Sequence, residues 1–425
     1  MLDPKTKIWR PFTQMKTAAP TFDVSCAKDA ILTLKDGRKI IDAISSWWVI
    51  THGHCQQEIS IAISEQCQRL DQTLFANFSH VPAKKLVEQL SAYLPQSLSN
   101  FFFTDNGSTA VEAAIKMLIQ RWYHLGEDNK NLFLSFEHSY HGDTVGAMSV
   151  GGDSVFNRPY KELLFRVLKV KQGRLSTDSI ELFTQPFLEA LERHYKEIAG
   201  IIIEPLVQGA GGMIVWPKEA LEIIGKKAKE KNIPLIFDEV MTGFGRTGSL
   251  FAFNQLTFYP DIICLSKGLT GGALPLSLTI ATDEIYNSFL SEDKAKMFFH
   301  GHSFTGNPIS CAAACANLDL LKKRNSSYHW KRIENIHRER ISGIKNAGQI
   351  LDKRLCGTIC ALELSDTNHG YATNLSEQIF SFAMDRGVFL RPLGNIVYLL
   401  PPYSITDEEL HRVWDVIDDI LNKNI

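Results

Sequence analysis

Two short apolar runs, Leu235-Ile-Phe-Asp238 and Ile262-Ile-Cys-Leu265, constrain the fold more than any other stretch of this chain. Each is brief, apolar to its last residues and closed by polar ones, the pattern of a strand buried on both faces in a parallel sheet. In an open sheet of that kind, ligands gather at the carboxyl ends of the strands. Asp238 closes the first run and Lys267 follows the second within Ser266-Lys267-Gly268. The pattern therefore predicts an acid and an amine at one sheet edge.

That pairing has a chemical use. Pyridoxal phosphate needs a lysine to hold its aldehyde and a carboxylate to keep its pyridine nitrogen protonated. Once displaced by substrate, the lysine is free to move the proton at the substrate carbon. Taken singly, an Asp at a strand end caps a turn and a Lys there is solvated. Paired on one edge and flanked by glycine-rich turns, Asp238 and Lys267 point to the cofactor. The intervening Gly243-Phe-Gly245-Arg-Thr-Gly248 matches the spacing of a dinucleotide fingerprint. No helical periodicity follows its third glycine, and Asp238-Glu239 would repel a pyrophosphate, so a nucleotide is excluded.

A phosphate site is predicted in the first third of the chain. Phe101-Phe-Phe-Thr-Asp-Asn-Gly107-Ser108-Thr109 reads as a strand running into a turn. Val111, Ala114, Ile115, Leu118, Ile119 and Trp122 then recur at helical spacing. A hydroxyl, free backbone N–H groups and a helix N-terminus converge at Gly107 and Ser108. Leu132–Phe136 reads as the next strand, and Tyr140 beyond it could lie flat against a planar ring. His138 and His141 stand in the same loop, with no further ligand at metal-binding spacing, so no metal is expected.

Further strands are expected at Ile201–Ile203 and Leu276–Ile280, and a turn-rich loop precedes an alanine-rich helix after Pro308. Apolar strands separated by helices indicate an α/β fold with a mostly parallel, doubly wound sheet. Ile31–Leu34, Asp36-Gly37 and Lys39–Ile41 form a hairpin signal. From about residue 325 charged helical segments alternate with short strands such as Cys360–Leu364 and Ile396–Leu400, a smaller α+β domain. The expected division is an arm and part of the small domain at 1–46, a large domain at 47–324, and the rest of the small domain at 325–425. Trp47 and Trp48, if extended, point opposite ways, leaving one free to wall a pocket. Arg391, just before the last strand, reads by itself as a solvated or surface-paired arginine, and would anchor a carboxylate only if it lines a pocket.

A net charge of −2 gives no reason to expect nucleic acid or an anionic membrane as partner. The eight cysteines show no C-x-x-C spacing. With no apolar leader or spanning run, a reducing cytoplasm is the expected location.

The stretches Asp238-Glu-Val-Met-Thr-Gly-Phe-Gly-Arg-Thr-Gly248 and Ser266-Lys-Gly-Leu-Thr-Gly-Gly272 resemble those of the fold-type I, class III (ω-type) aminotransferases, and the likeness covers nearly the whole chain. Within that family, Trp9-Arg-Pro-Phe12-Thr-Gln-Met, Ser45-Ser-Trp47-Trp48, Val207-Gln-Gly-Ala-Gly-Gly-Met and Arg391-Pro-Leu-Gly are most similar to the branch that makes 7,8-diaminononanoate for biotin. The resemblance implies that Lys267 holds pyridoxal phosphate, Asp238 its ring nitrogen and Gly107 and Ser108 its phosphate, with Tyr140 on the ring. It implies a homodimer in which Gly301, His302 and Ser303 complete the neighbouring site, Ser303 at the phosphate. Phe12, Trp47, Trp48, Arg391 and Tyr398 would shape the substrate pocket. The substrates implied are S-adenosylmethionine as amino donor and 8-amino-7-oxononanoate as acceptor, in a ping-pong reaction. Two departures stand out. Members using S-adenosylmethionine commonly carry Tyr at the position of Phe12, which keeps lysine open as donor, and His302-Ser303 replaces a common Pro-Thr. Another ω-amino acid transamination, with ornithine or 4-aminobutyrate, is the alternative.

Overall fold

The computed structural model describes residues 7–344, 349–365 and 374–423. Its largest sheet has seven strands, in the order Leu98–Thr104, Ser277–Thr282, Ile262–Leu265, Leu235–Asp238, Ile198–Ile203, Leu132–Phe136 and Val167–Val170. Ser277–Thr282 runs antiparallel to both neighbours, and the other pairings are parallel. The exception has a cause in chain length. Parallel neighbours need a crossover of a dozen or more residues, usually a helix. The short link between Leu265 and Ser277 holds only the turn Lys267–Thr270, so the chain returns beside the strand it left.

Successive residues of the central strands face opposite sides and both sides are buried. Leu235 and Phe237, Ile263 and Leu265, and Ile201 and Ile203 belong to one apolar cluster. Ile236, Ile262, Cys264 and Ile202 belong to another, which includes Val111, Ala114 and Leu118 of the helix Gly107–His124. The first cluster is covered by Phe183, Phe187 and Leu191 of Ile180–His194 and by Leu221 and Ile224 of Lys218–Glu230. Helices on both faces make the sheet doubly wound, as the apolar runs predict. Along Gly107–His124 the expected inward set is buried except Ile119, which is exposed. At 100° per residue, Leu118 and Ile119 cannot both face the sheet.

Two smaller sheets draw on distant parts of the chain. The predicted hairpin pairs Ile31–Leu34 with Lys39–Asp42, and Gly37 takes the φ of +88° that its turn requires. Val24–Lys28 pairs with the first of these strands, and Val388–Phe389 lies parallel to the second. The third sheet is Ile350–Cys356, Ile359–Leu364 and Ile396–Leu399. Cys311, Cys315 and Cys360 are core positions, and all eight cysteines are free. Among the described residues, no helix is long and apolar enough to cross a membrane.

Candidate active site

Asp238 stands opposite Cys264 in the parallel pairing of Leu235–Asp238 with Ile262–Leu265. Adjacency and register therefore bring Asp238 and Lys267 to the same sheet edge. Both line a cavity of about 620 Å³ together with Trp48, Gly107, Ser108, Tyr140, His141 and Glu204. Lys267 leaves its strand with φ +44°, a left-handed conformation sparsely populated by residues with a Cβ. Burial lowers its pKa from 10.5 to about 8, against the opposing charges of Asp238 and Glu204 and with a smaller contribution from Arg246. An amine in that range is partly neutral near neutral pH, as a nucleophile or proton carrier must be.

Asp238 is buried and doubly held. Its Oδ1 accepts from the backbone N–H of Val240 at 3.1 Å. Its Oδ2 lies 2.7 Å from Nδ1 of His141, whose side chain is fully buried and whose Nε2 has no partner among the described residues. Opposite a carboxylate, that Nδ1 carries the proton and donates it. Glu204 closes the strand Ile198–Ile203 and accepts from the backbone N–H groups of Tyr140 and Gly209, each at 2.9 Å. Burial raises its carboxyl to about 7, although His141 and the two amides favour its charged form.

The predicted phosphate end is built by the N-terminus of Gly107–His124. Asn106 caps it: its side chain accepts from the Thr109 N–H, and the Thr109 hydroxyl accepts from the Asn106 N–H. This leaves the Gly107 and Ser108 amides at the cavity wall without an intrahelical acceptor. The Ser108 hydroxyl lies 2.7 Å from that of Thr144 and accepts from the Thr144 N–H at 3.0 Å. A Cβ on Gly107 would meet Val240 Cγ1 at 2.6 Å. Gly142, at φ +130°, has Ser108 so close that any Cβ would collide with it. Tyr140 lines the same cavity, its hydroxyl donating to Asp143 at 2.9 Å.

The tryptophans do not sit in an extended strand. They lie in a kinked helical turn, Ser45–Trp48, that buries Trp48 and leaves Trp47 at 36 % exposure. The Trp48 ring centre is 4.6 Å from Lys267 Nζ, and its indole N–H donates to the Tyr398 hydroxyl at 3.0 Å. Trp47 stands edge-on to Phe12 at 5.5 Å and carries the Arg391 guanidinium 4.7 Å above its ring. The structure thus gathers Lys267, Asp238, Tyr140, Gly107, Ser108 and Trp48 around one cavity, with Tyr398 behind Trp48 and Phe12 and Arg391 against Trp47. Gly301, His302 and Ser303 do not line this cavity. The Ser303 carbonyl instead accepts from Gln72 at 2.7 Å.

Sequence reasoning passed over His141 and Glu204 as members of the site. Glu204 could have been found by the rule that located Asp238, since it too closes a buried parallel strand. His141 carries no such signal, because only the folded loop sets it against Asp238. Among the described residues, no group of three or more His, Cys, Asp or Glu side chains could hold a metal ion.

Comparison with known proteins decides the family. The model of class III aminotransferases matches residues 13–421. The adenosylmethionine-8-amino-7-oxononanoate aminotransferase of Synechococcus elongatus is 44% identical over 420 residues, with 98% of each chain covered. This chain belongs to the class III aminotransferases. A similarly named enzyme of Geobacter sulfurreducens is 38% identical to this aminotransferase, over 98% of this chain and 95% of the other. The crystal structure of the adenosylmethionine-8-amino-7-oxononanoate aminotransferase from Methanocaldococcus jannaschii superposes with a TM-score of 0.91 at 34% identity, covering 97% of both chains.

Pyridoxal phosphate is the cofactor of this family, and the residues present fit it. A helix N-terminus with two free amides faces one part of the cavity. A carboxylate backed by an imidazole and a lysine of lowered pKa face the rest. At Gly142 the backbone closes on Ser108 too tightly for any larger residue.

Proposed function

We propose that this aminotransferase moves an amino group from S-adenosylmethionine to 8-amino-7-oxononanoate, giving 7,8-diaminononanoate for biotin synthesis. The observation that carries the reading is the 44% identity, across 98% of both chains, to an enzyme named for those two substrates. The site chemistry agrees with it. Bound in the cavity, pyridoxal phosphate supplies the electron sink that lets a proton leave the donor's α-carbon. Lys267 would hold the cofactor's aldehyde carbon and, once displaced by the donor amine, would take the proton from the donor's α-carbon and deliver it to that aldehyde carbon, with the reverse transfer serving the acceptor. Asp238 keeps the pyridine nitrogen protonated, and His141 orients the carboxylate. Gly107 and Ser108 hold the phosphate by their amides and hydroxyl, while Tyr140 stacks on the ring. Trp48 and Trp47 wall the substrate space, with Phe12 and Tyr398 fixing their edges. Arg391 takes the acceptor's carboxylate.

The reading includes a cytoplasmic homodimer, with Gly301, His302 and Ser303 of the partner subunit completing the phosphate end. Support for the dimer comes from large apolar side chains left open in a single copy: Trp9 at 87 %, Phe304 at 64 %, Leu74 at 63 % and Phe78 at 61 % exposure. The division into an arm at 1–46, a large domain at 47–324 and a small domain completed by 325–425 is likewise proposed. It is supported by the pairing of Val388–Phe389 with Lys39–Asp42.

The donor is tested by titrating the cofactor's absorbance in the purified protein separately with S-adenosylmethionine and with lysine. Loss of the band with S-adenosylmethionine, followed by diamine formation on adding the acceptor, is the expected result. A response to lysine alone would refute the donor and leave the acceptor standing. A response only to ornithine or 4-aminobutyrate would refute both. Phe12 packs edge-on against Trp47 and Phe156, at 5.5 and 5.4 Å. Phe12→Tyr restores the hydroxyl common in users of S-adenosylmethionine, and is expected to lower the KM for that donor and leave kcat little changed.

A further inference from the structure

The two tryptophans are presented by a strained piece of backbone. Ser45, Ser46 and Trp48 all have positive φ, at +56°, +61° and +66°. Ser46, with ψ −81°, lies near the sparsely populated γ-turn conformation. Strain of this kind persists only where the surroundings over-determine it, and it concentrates at functional sites. Here two buried charged side chains do so, one at each end of the turn.

At the N-terminal end is Asp42, fully buried. Its Oδ2 accepts from the Ser46 N–H at 2.6 Å, the Ser46 hydroxyl at 3.1 Å and His54 Nε2 at 2.8 Å. Its Oδ1 accepts from the Ile44 N–H at 3.3 Å. At the C-terminal end is Arg246, 1 % exposed. It donates to the carbonyls of Trp48 at 3.3 Å, Ile50 at 2.7 Å and Pro401 at 3.0 Å, and stands 5.1 Å from the centre of the Tyr403 ring. Among the described residues it has no carboxylate within ion-pairing distance. Burial disfavours this guanidinium, and the Asp42 charge, acting from beyond ion-pairing distance, offsets only part of that. What Arg246 provides is a rigid fork that reaches three carbonyls at once, which an ammonium on a flexible stem cannot do.

The geometry points to Asp42 and Arg246 as positioning residues for the substrate wall: they clamp the strained Ser45–Trp48 turn from its two ends, so that Trp48 faces Lys267 and Trp47 meets Phe12 and Arg391. Neither side chain lines the cavity, so each acts on the substrate wall through the tryptophans, and Arg246→Lys keeps the charge that also reaches Lys267. The inference rests on the proposed reading of the site, with an amino donor packed against that wall.

The test compares holoenzyme with Asp42→Asn, Arg246→Lys and the double variant Asp42→Asn/Ser46→Gly. Both single variants are expected to keep the cofactor's absorbance while KM for the amino donor rises about tenfold and kcat changes less than about threefold. Backbone hydrogen exchange across residues 43–50 should quicken in both. Glycine takes positive φ without steric penalty, so the double variant should recover most of the lost KM. A merely structural role for Asp42 would give no such recovery. Unchanged donor KM and exchange in both single variants would overturn the clamp, as would failure of the glycine to rescue. If Asp42→Asn does not fold, Arg246→Lys decides by the same two readouts. If the parent enzyme does not respond to the donor at all, it is the proposed function that fails, while faster exchange at 43–50 would still report the clamp.

Discussion

Lys267 should capture the cofactor's aldehyde at neutral pH far faster than an ordinary lysine, because only the neutral amine attacks. With a pKa near 10.5, roughly one lysine in three thousand is neutral at pH 7. Lowered to about 8 by burial, roughly one in ten is neutral, a gain of roughly 300-fold. The assay is stopped-flow binding of pyridoxal phosphate to cofactor-free protein across roughly pH 6 to 10. The rate should climb with pH and level off above about 8, with the direction set by deprotonation of the amine. Asp238→Asn adds a sign test. The Asp238 charge favours the ammonium and so opposes the effect of burial. Its removal should move the inflection below 8 even though cofactor binding weakens. A rate still rising steeply toward pH 10 would refute the claim that burial tunes this lysine. An upward movement in Asp238→Asn would refute the assigned sign of the coupling.

Two further outcomes follow from the same cavity. Glu204 is held at about 7, above its ordinary 4.5, so the folded protein keeps a proton that the unfolded chain releases between these values. Its contribution to stability therefore falls as pH rises from about 4.5 to 7 and is constant above that. Glu204→Gln removes the titration, so its stability relative to the parent should rise by up to about 3 kcal/mol between about pH 4.5 and 7, on top of a pH-independent cost, because an amide can accept from only one of the two backbone N–H groups. A difference independent of pH in denaturation experiments would contradict the burial argument. Gly142→Ala forces a methyl group against Ser108 at φ +130° and should weaken cofactor affinity at least about tenfold. Equilibrium dialysis would show it, and unchanged affinity would mean that the Ser108–Thr144 corner does not hold the phosphate.

The sheet was legible in the sequence because buried parallel strands leave a plain mark. Leu235–Phe237, Ile262–Leu265 and Ile201–Ile203 are apolar on both faces, and each ends in a polar group at the edge where ligands bind. Asp238, Lys267 and the Gly107-Ser108 turn follow from that rule and from the helical spacing after Thr109. The antiparallel return at Ser277–Thr282 was less legible, since an apolar run carries no sign of its direction and only the short link after Lys267 rules out a crossover. Ile119 was misread because one apolar residue too many fits any helical stripe.

The sequence alone determined which residues could do the chemistry: a lysine, an acid and a helix N-terminus at the ends of adjacent apolar runs. Local patterning suffices there, because strand burial and helix capping act over a few residues. Tertiary structure decided what those residues become. His141 meets Asp238 across 97 positions of chain, Trp48 meets Tyr398 across 350, and Arg246 reaches back to Trp48 and Ile50. Such contacts leave no periodic trace. The lowered pKa of Lys267 and the raised one of Glu204 likewise arise from desolvation, which depends on everything packed around a group and not on its neighbours in sequence.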